Sequence, residues 1–205
     1  MECMNILVTG SRGFIGSHLI PALKKKYTVR SYDLKDGQDI LNEKQLLKAI
    51  KWADVVYHLA ALTDVQQSFK QKKEYYQTNF VGSLNVCCLC EDLNKKLIYT
   101  STASIYDPFS SPYAEGKKQI ERIINLMASR TVVFRLFNVY GEGMNKTTML
   151  ARFQKENPIT IYGDGKQTRD FICIDDVVDI MVSALSPKWN GFVGDVGTAY
   201  EHTVL

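Results

Sequence analysis

The sequence predicts an α/β fold, a doubly wound parallel sheet with helices on both faces and a small, less regular region at its C-terminal end. Three observations predict it. Short apolar runs alternate with segments of helical spacing as far as about residue 140. The first apolar run ends in a glycine-punctuated turn that opens into a helix. The 205 residues, 45% hydrophobic and 23% charged, suit one domain with a full core, or one domain and a small appendage, and not a disordered chain.

The elements follow in order. "MNILVTG" is a strand broken by Gly10, and "GFIGSHLIPALKKK" is a helix. "YTVRSYD" is a strand, "NEKQLLKAIK" a helix and "DVVYHLAA" a strand. Residues 66–93 read as one long helix, "KKLIYTS" as a strand and residues 113–128 as a helix. "TVVFRLFNVYG" is a strand with its exit loop. Right-handed crossovers stack such units into one sheet. Beyond Gly141 the regularity weakens: "TTMLARFQKE" is helical, "ITIYGDGKQTRDFICI" reads as a hairpin and "DDVVDIMVSAL" is helical again.

Composition narrows the function. A net charge of +3 is too small and too scattered for a nucleic-acid surface, and lysine clusters such as Lys24–Lys26 are solvated helix faces. No apolar run is long enough to span a membrane, and the N-terminus leaves no room for a signal peptide before the first strand. Five cysteines without framework spacing point to a reducing, cytoplasmic setting. Cys87 and Cys90 form a CxxC within a helical stretch, which reads as buried packing; no metal is expected.

Gly10, Gly13 and Gly16 stand in "TGSRGFIG". Glycines there permit a tight turn and close backbone approach to a pyrophosphate, which the helix N-terminus then attracts. Asp33 ends the second strand, 17 residues beyond Gly16, where a carboxylate can accept both ribose hydroxyls of NAD or simply serve a turn. Arg12 is a competing signal, since a guanidinium could grip the 2′-phosphate of NADP. Asp33 would repel that phosphate, so NAD leads. The expected fold is therefore Rossmann-like.

Seven strings occur in one order: "TGSRGFIGSHL", "DVVYHLAA", "NFVGSLNV", "IYTSTASIY", "PYAEGK", "RLFNVYG" and "GDGKQTRDFICIDDVV". Together they resemble the extended short-chain dehydrogenase/reductases, in particular the NAD-dependent epimerase/dehydratase family and its nucleotide-sugar 4-epimerases. The resemblance implies NAD and a nucleotide-diphosphate sugar, a UDP-sugar foremost. It implies a catalytic trio of Thr102, Tyr113 and Lys117, with Thr102, Asn138 and Arg169 on the substrate. Cofactor contacts are implied at Gly10, Arg12, Gly13, Phe14, Ile15 and Gly16, at Asp33, Asp39 and Ile40, and at Leu59, Ala60 and Ala61. Asn79, Thr100, Tyr113 and Lys117 complete that set. Residues 1–140 would be the NAD-binding domain and 141–205 a partial substrate-binding region interleaved with late sheet elements at 169–196. A homodimer is implied, joined by helices near 72–92 and 113–129, with Ile120, Ile123, Ile124 and Met127 as a stripe that serves the contact or the core.

Tyr113 and Lys117 are i and i+4, neighbours on one helix face. A free tyrosine titrates near 10, so a base needs help; a lysine ammonium and a cationic nicotinamide both favour phenolate. Tyr113 would take the sugar hydroxyl proton, Thr102 would hold that oxygen and Lys117 would also hold the nicotinamide ribose. Dehydratases and decarboxylases of the family place acids directly after the threonine, and here those positions are Ala103 and Ser104. That favours epimerisation at carbon 4, with a reductase or dehydratase of the same family, or a catalytically weak NAD(P)-binding regulator, as alternatives. Arg169 would clamp the diphosphate or pair with Asp170 or Asp175, and Asn138 would bind substrate or cap a turn. His58 reads as a structural hydrogen-bonding residue. Only eleven positions separate Thr102 from Tyr113, a connection interrupted by Pro108 and Pro112. Relatives carry a longer insert there and continue beyond "AYEHTVL", so NAD should bind well and the sugar weakly.

Overall fold

A computed structural model of the protein describes residues 4–107, 111–127, 130–161 and 164–204; Pro108 lies outside them. In chain order the first half runs β1 (Asn5–Thr9), α1 (Phe14–Lys24), β2 (Thr28–Tyr32), α2 (Glu43–Trp52), β3 (Val55–His58), α3 (Val65–Lys70), α4 (Lys72–Tyr75) and α5 (Ser83–Asp92). The second half runs β4 (Lys96–Thr102), α6 (Pro112–Ile124), β5 (Thr131–Leu136), β6 (Asn138–Tyr140), α7 (Met149–Phe153), β7 (Thr168–Arg169), β8 (Phe171–Cys173), α8 (Ile174–Ser183), β9 (Val193–Val196) and β10 (His202–Thr203).

Six strands form one parallel sheet in the order β2-β1-β3-β4-β5-β9. Strands covered on both faces favour consecutive apolar residues, and β3 and β4 bury every residue, apolar at their centres and polar toward their ends. Ile6, Val8, Leu19, Ile98, Phe134, Val177 and Met181 pack one face against α1 and α8. Leu7, Leu46, Ile50, Val86, Leu97 and Ile120 pack the other against α2, α5 and α6. Each such side chain contributes about 1.5–3 kcal/mol on burial. The order of strands reverses between β1 and β3, so their carboxyl ends part into a crevice, the usual ligand position in open sheets of this kind.

Two expectations are corrected. The long helix of 66–93 is broken at Gln71 (φ −113°, ψ 42°) and widens into a π-turn over Tyr76–Gly82 before α5. The wider turn buries Asn79, and Gly82 leaves room for Ile40, whose Cδ1 lies 2.6 Å from where a Cβ would be. The hairpin expected at 159–174 is not formed among the described residues: β7 pairs antiparallel with β10, and β8 pairs parallel with β6. The cause is Asp170, between the two strands. Its carbonyl accepts from Asn138 N, while its carboxylate accepts from Thr198 and Ala199, drawing the segment to two different neighbours. The isoleucine stripe of α6 packs on its own sheet. Ile120 and Ile124 are buried and Ile123 and Met127 lean on the same core.

Cys87 and Cys90 are buried in that core, where burial raises both thiols, Cys87 to about 12. Among the described residues no helix is long and apolar enough to cross a membrane.

His58, at the end of β3, joins three elements. Its Nδ1 lies 2.7 Å from Thr9 Oγ1 on β1 and its Nε2 2.9 Å from Ser83 Oγ on α5. Burial first, then the charge of Lys117, lowers its imidazole from 6.5 to about 3. Between those values the unfolded chain takes up a proton that the folded protein refuses. Stability should therefore fall as pH drops from 6.5 toward 3, by up to about 1.4 kcal/mol per unit. Urea unfolding at pH 7 and pH 5 should show a smaller loss for His58→Gln than for the native chain; equal losses would refute this role.

Candidate active site

The crevice begins at the glycine turn. Gly10 has φ +67°, and a Cβ there would stand 2.6 Å from Ala60 N and 2.7 Å from the Leu59 carbonyl carbon. The backbone after β1 thus lies directly on the backbone after β3, which only glycine allows. A Cβ on Gly16 would stand 2.6 Å from Gly10 O, so α1 is seated against the same turn. Gly13, as N-cap, offers no side-chain acceptor to the first turn of α1. Gly13, Phe14, Ile15 and Gly16 line the cleft, and the free N–H groups of a helix's first turn, with its dipole, suit an anion. The Ser11 hydroxyl is buried without a hydrogen-bond partner.

Asp33 serves the turn directly. Its carboxylate accepts from Arg12 N at 2.8 Å and from Lys35 N at 2.9 Å. The Arg12 guanidinium turns to Asp36, at 2.7 and 3.0 Å, and that hydrogen bond holds the Asp36 carboxyl below its usual range. Asp39 accepts the Tyr32 hydroxyl on its carbonyl at 2.8 Å. Asn79 exchanges two hydrogen bonds of 2.8 Å with the Leu62 backbone, fixing the loop after β3. Asp33, Arg12, Asp39, Ile40, Ala60 and Asn79 therefore frame the crevice.

The cleft itself holds about 490 Å³, within the usual range of small-molecule sites. Gly10, Gly13–Gly16, Leu59 and Ala61 line one wall, Thr100–Thr102, Tyr113 and Lys117 the floor. Asn138, Phe171, Met144, Asn145 and residues 147–150 line the far wall. Thr102 is the last residue of β4. Its Oγ1 accepts from Ser104 N at 3.2 Å and lies 3.3 Å from Ser104 Oγ, capping a short turn over Ala103–Tyr106. Opposite, Ser111 caps α6 by accepting from Ala114 N, and Pro112 opens its first turn. The short connection thus brings Thr102, Tyr113 and Lys117 together.

Electrostatics differ from the expectation in one respect. Burial is the largest influence on Tyr113 and raises its phenol to about 12, with the nearby Thr102 hydroxyl acting in the opposite sense. Burial lowers Lys117 to about 8. The Lys117 ammonium donates to Thr100 O at 2.8 Å and lies 4.7 Å from the centre of the Tyr99 ring. The protein's own groups therefore do not bring Tyr113 near neutrality.

Of the two residues expected on phosphate, Asn138 lines the cleft, its amide donating to Asp170 O at 2.9 Å. Arg169 does not. It is exposed on β7 and donates to Thr168 O at 2.7 Å, while Asp170 is engaged by Thr198 and Ala199. Sequence reasoning missed residues 147–150 of the far wall, Thr63 and Gln66, which lie outside the motifs it was built on. It also missed Glu121, although Glu121 continues the Tyr113–Lys117 spacing by four more residues.

Residues 6–196 match the family described as the NAD dependent epimerase/dehydratase family. The UDP-glucuronate 4-epimerase of Thermodesulfobacterium geofontis is 33% identical over 88% of this chain and 71% of its own length. The UDP-N-acetyl-alpha-D-glucosaminuronate decarboxylase of Bacillus cytotoxicus is 27% identical over 97% of this chain and 76% of its own length. That alignment runs to 245 positions, more than the 205 residues of this chain, so the relative has residues inside the matched span that are absent here. The UDP-glucuronic acid 4-epimerase from Bacillus cereus, solved with UDP-glucuronic acid and NAD, superposes with a TM-score of 0.87 at 32% identity, covering 98% of this chain and 80% of that one.

Gly10→Ala should be costly twice over, through its positive φ and through the clash with Ala60. A loss of about 1–3 kcal/mol from the backbone alone is expected, read by urea unfolding. A fully stable alanine variant would mean that the turn relaxes freely.

Proposed function

The chain belongs to the NAD dependent epimerase/dehydratase family, and from that premise we propose that it epimerises a nucleotide-diphosphate sugar, a UDP-sugar foremost, at carbon 4 through a transient 4-keto sugar. The observation that carries this reading is the floor of the cleft: Thr102, Tyr113 and Lys117 converge there, and the turn after Thr102 holds Ala103 and Ser104 where elimination or decarboxylation would call for an acid. The Arg12 guanidinium, engaged by Asp36, speaks against a 2′-phosphate and so against the reductase alternative.

The bare glycine turn, the uncapped start of α1 and the unpartnered Ser11 hydroxyl suit a dinucleotide. Gly10, Gly13, Phe14 and Ile15 would hold the pyrophosphate, Asp33 the adenosine ribose, and Thr100 and Lys117 the nicotinamide ribose. When bound, NAD supplies a reversible hydride acceptor and a cationic ring. Each unit by which Tyr113 falls from about 12 takes about 1.4 kcal/mol. Tyr113 therefore becomes a base only in the loaded protein, where that cation adds to Lys117. Tyr113 would then take the proton of the sugar hydroxyl and return it, while Thr102 holds the oxygen. Asn138 would bind the diphosphate, joined by Arg169 after rotation of its exposed side chain. The expected assembly is a homodimer through the outer faces of α4–α5 and α6, where exposed Tyr76 stacks on Phe80 at 5.1 Å.

Tyr113→Phe should lower turnover of UDP-glucose at least about a hundredfold while leaving NAD affinity by calorimetry unchanged. Near-native turnover would remove Tyr113 from the chemistry. The native protein should bind NAD more tightly than NADP, and Asp33→Ala should narrow the gap. Tighter NADP binding by the native chain would return Arg12 to the cofactor and revive the reductase.

A further inference from the structure

Thr102 and Tyr113 are joined a second time, through side chains. Tyr106 ends the turn that begins beside Thr102, and its hydroxyl donates to the Asp195 carboxylate, 2.5 Å from each oxygen. Asp195 on β9 stands in register with Arg135 on β5, which stands in register with Ser101 on β4. The three side chains therefore form a row on one face of the sheet. Arg135 Nη1 lies 3.5 Å from the Tyr106 hydroxyl and 3.9 Å from Asp195 Oδ1. Its Nε and Nη2 donate to Glu121 at 3.0 and 2.8 Å. Glu121 is buried on α6, one turn beyond Lys117 and two beyond Tyr113. Arg135 thus braces both ends of the short connection: the turn that holds Thr102, and the helix that carries Tyr113.

The two arms differ in kind. Glu121 and Arg135 form a mostly buried pair whose loss would leave a carboxylate without its cation. Tyr106 is 59% exposed and Asp195 45%, so their hydrogen bond adds little to stability. Its effect is geometric. The turn it ends is the one whose Ser104 N–H fixes the Thr102 hydroxyl.

We propose that Tyr106 and Asp195 are positioning residues: their hydrogen bond, braced by Arg135, sets the separation of the Thr102 hydroxyl from the Tyr113 phenol. The inference rests on the proposed function in assuming that these two groups share one substrate oxygen. Tyr113 is faced by Thr102 from β4 and Tyr75 from α4, with Lys117 on its own helix. A displaced Thr102 is then read directly in the phenol.

The test uses NAD-loaded protein with 13C at tyrosine Cζ, the Tyr113 resonance being assigned through Tyr113→Phe. Tyr106→Phe and Asp195→Ala should melt within about 4 °C of the native chain. In both, the Tyr113 titration midpoint should rise by roughly half a unit or more, the scale of one hydrogen bond to a phenolate. Asp195→Asn keeps an acceptor and should restore most of the native value. Turnover of UDP-glucose should fall roughly tenfold in kcat with KM and NAD affinity unchanged. An unmoved Tyr113 midpoint in the folded variants would overturn the proposal, and either variant suffices if the other fails to fold. Absence of turnover across a panel of UDP-sugars at saturating concentration in every protein, native included, would overturn the epimerase reading, while the Tyr113 resonance would still decide the positioning role.

Discussion

The site depends on a contact between two stretches of backbone. Where β1 ends, Gly10 touches Leu59 and Ala60 with no side chain between them, and Gly10 N also donates to Tyr32 O at 2.9 Å. One residue thereby fixes the ends of β1, β2 and β3 relative to one another. With those ends fixed, the first turn of α1 can face the crevice, and Asp33 can hold the glycine turn through Arg12 N. The floor of the cleft is set one strand further on, by β4, whose Thr100 carbonyl receives the Lys117 ammonium.

Much of this was legible in the sequence because burial on both faces leaves a plain trace. Strands such as "DVVYHLAA" and "KKLIYTS" carry consecutive apolar residues at their centres, Val55–Tyr57 and Leu97–Tyr99, and the glycine turn needs residues of one kind at set intervals. The trio was expected from the seven strings in their order, and the structure brings Thr102, Tyr113 and Lys117 to one cleft. Other features had no local trace. Nothing in "KEYYQTNFVG" marks a π-turn, since a single widened turn changes no spacing that survives averaging over a helix. The hairpin reading failed because Asp170 prefers partners 28 and 32 residues away, and side-chain choices at that range are invisible in a periodicity. The burial that raises the Tyr113 phenol had no local trace for a related reason. A lysine four residues on predicts attraction, but the depth of burial, which outweighs it here, belongs to the tertiary structure.

Polar groups inside the sheet are satisfied largely by neighbours from another layer. Tyr57 donates its hydroxyl to Met181 O at 2.8 Å, reaching from β3 to α8. Lys96, at the start of β4, donates to Ser186 O at 3.0 Å just beyond the same helix. His58 does the equivalent on the other face. Such bonds add modest stability, about 1 kcal/mol each, but they fix how far each helix slides along its strand. The trio depends on that registration, since its members come from a strand end and a helix start.

Asp170 carries a further consequence. Ala199 adopts φ +62°, a left-handed conformation that costs an alanine roughly 1–2 kcal/mol. Its N–H donates to Asp170 Oδ2 at 2.9 Å, so the carboxylate holds a strained residue in place. The same aspartate offers its carbonyl to Asn138, which lines the cleft. Strain held at Ala199 is therefore connected through one residue, by its side chain at one end and its carbonyl at the other, to the wall of the cleft. Any ligand that pulls on Asn138 works against a small spring at the far end of the chain.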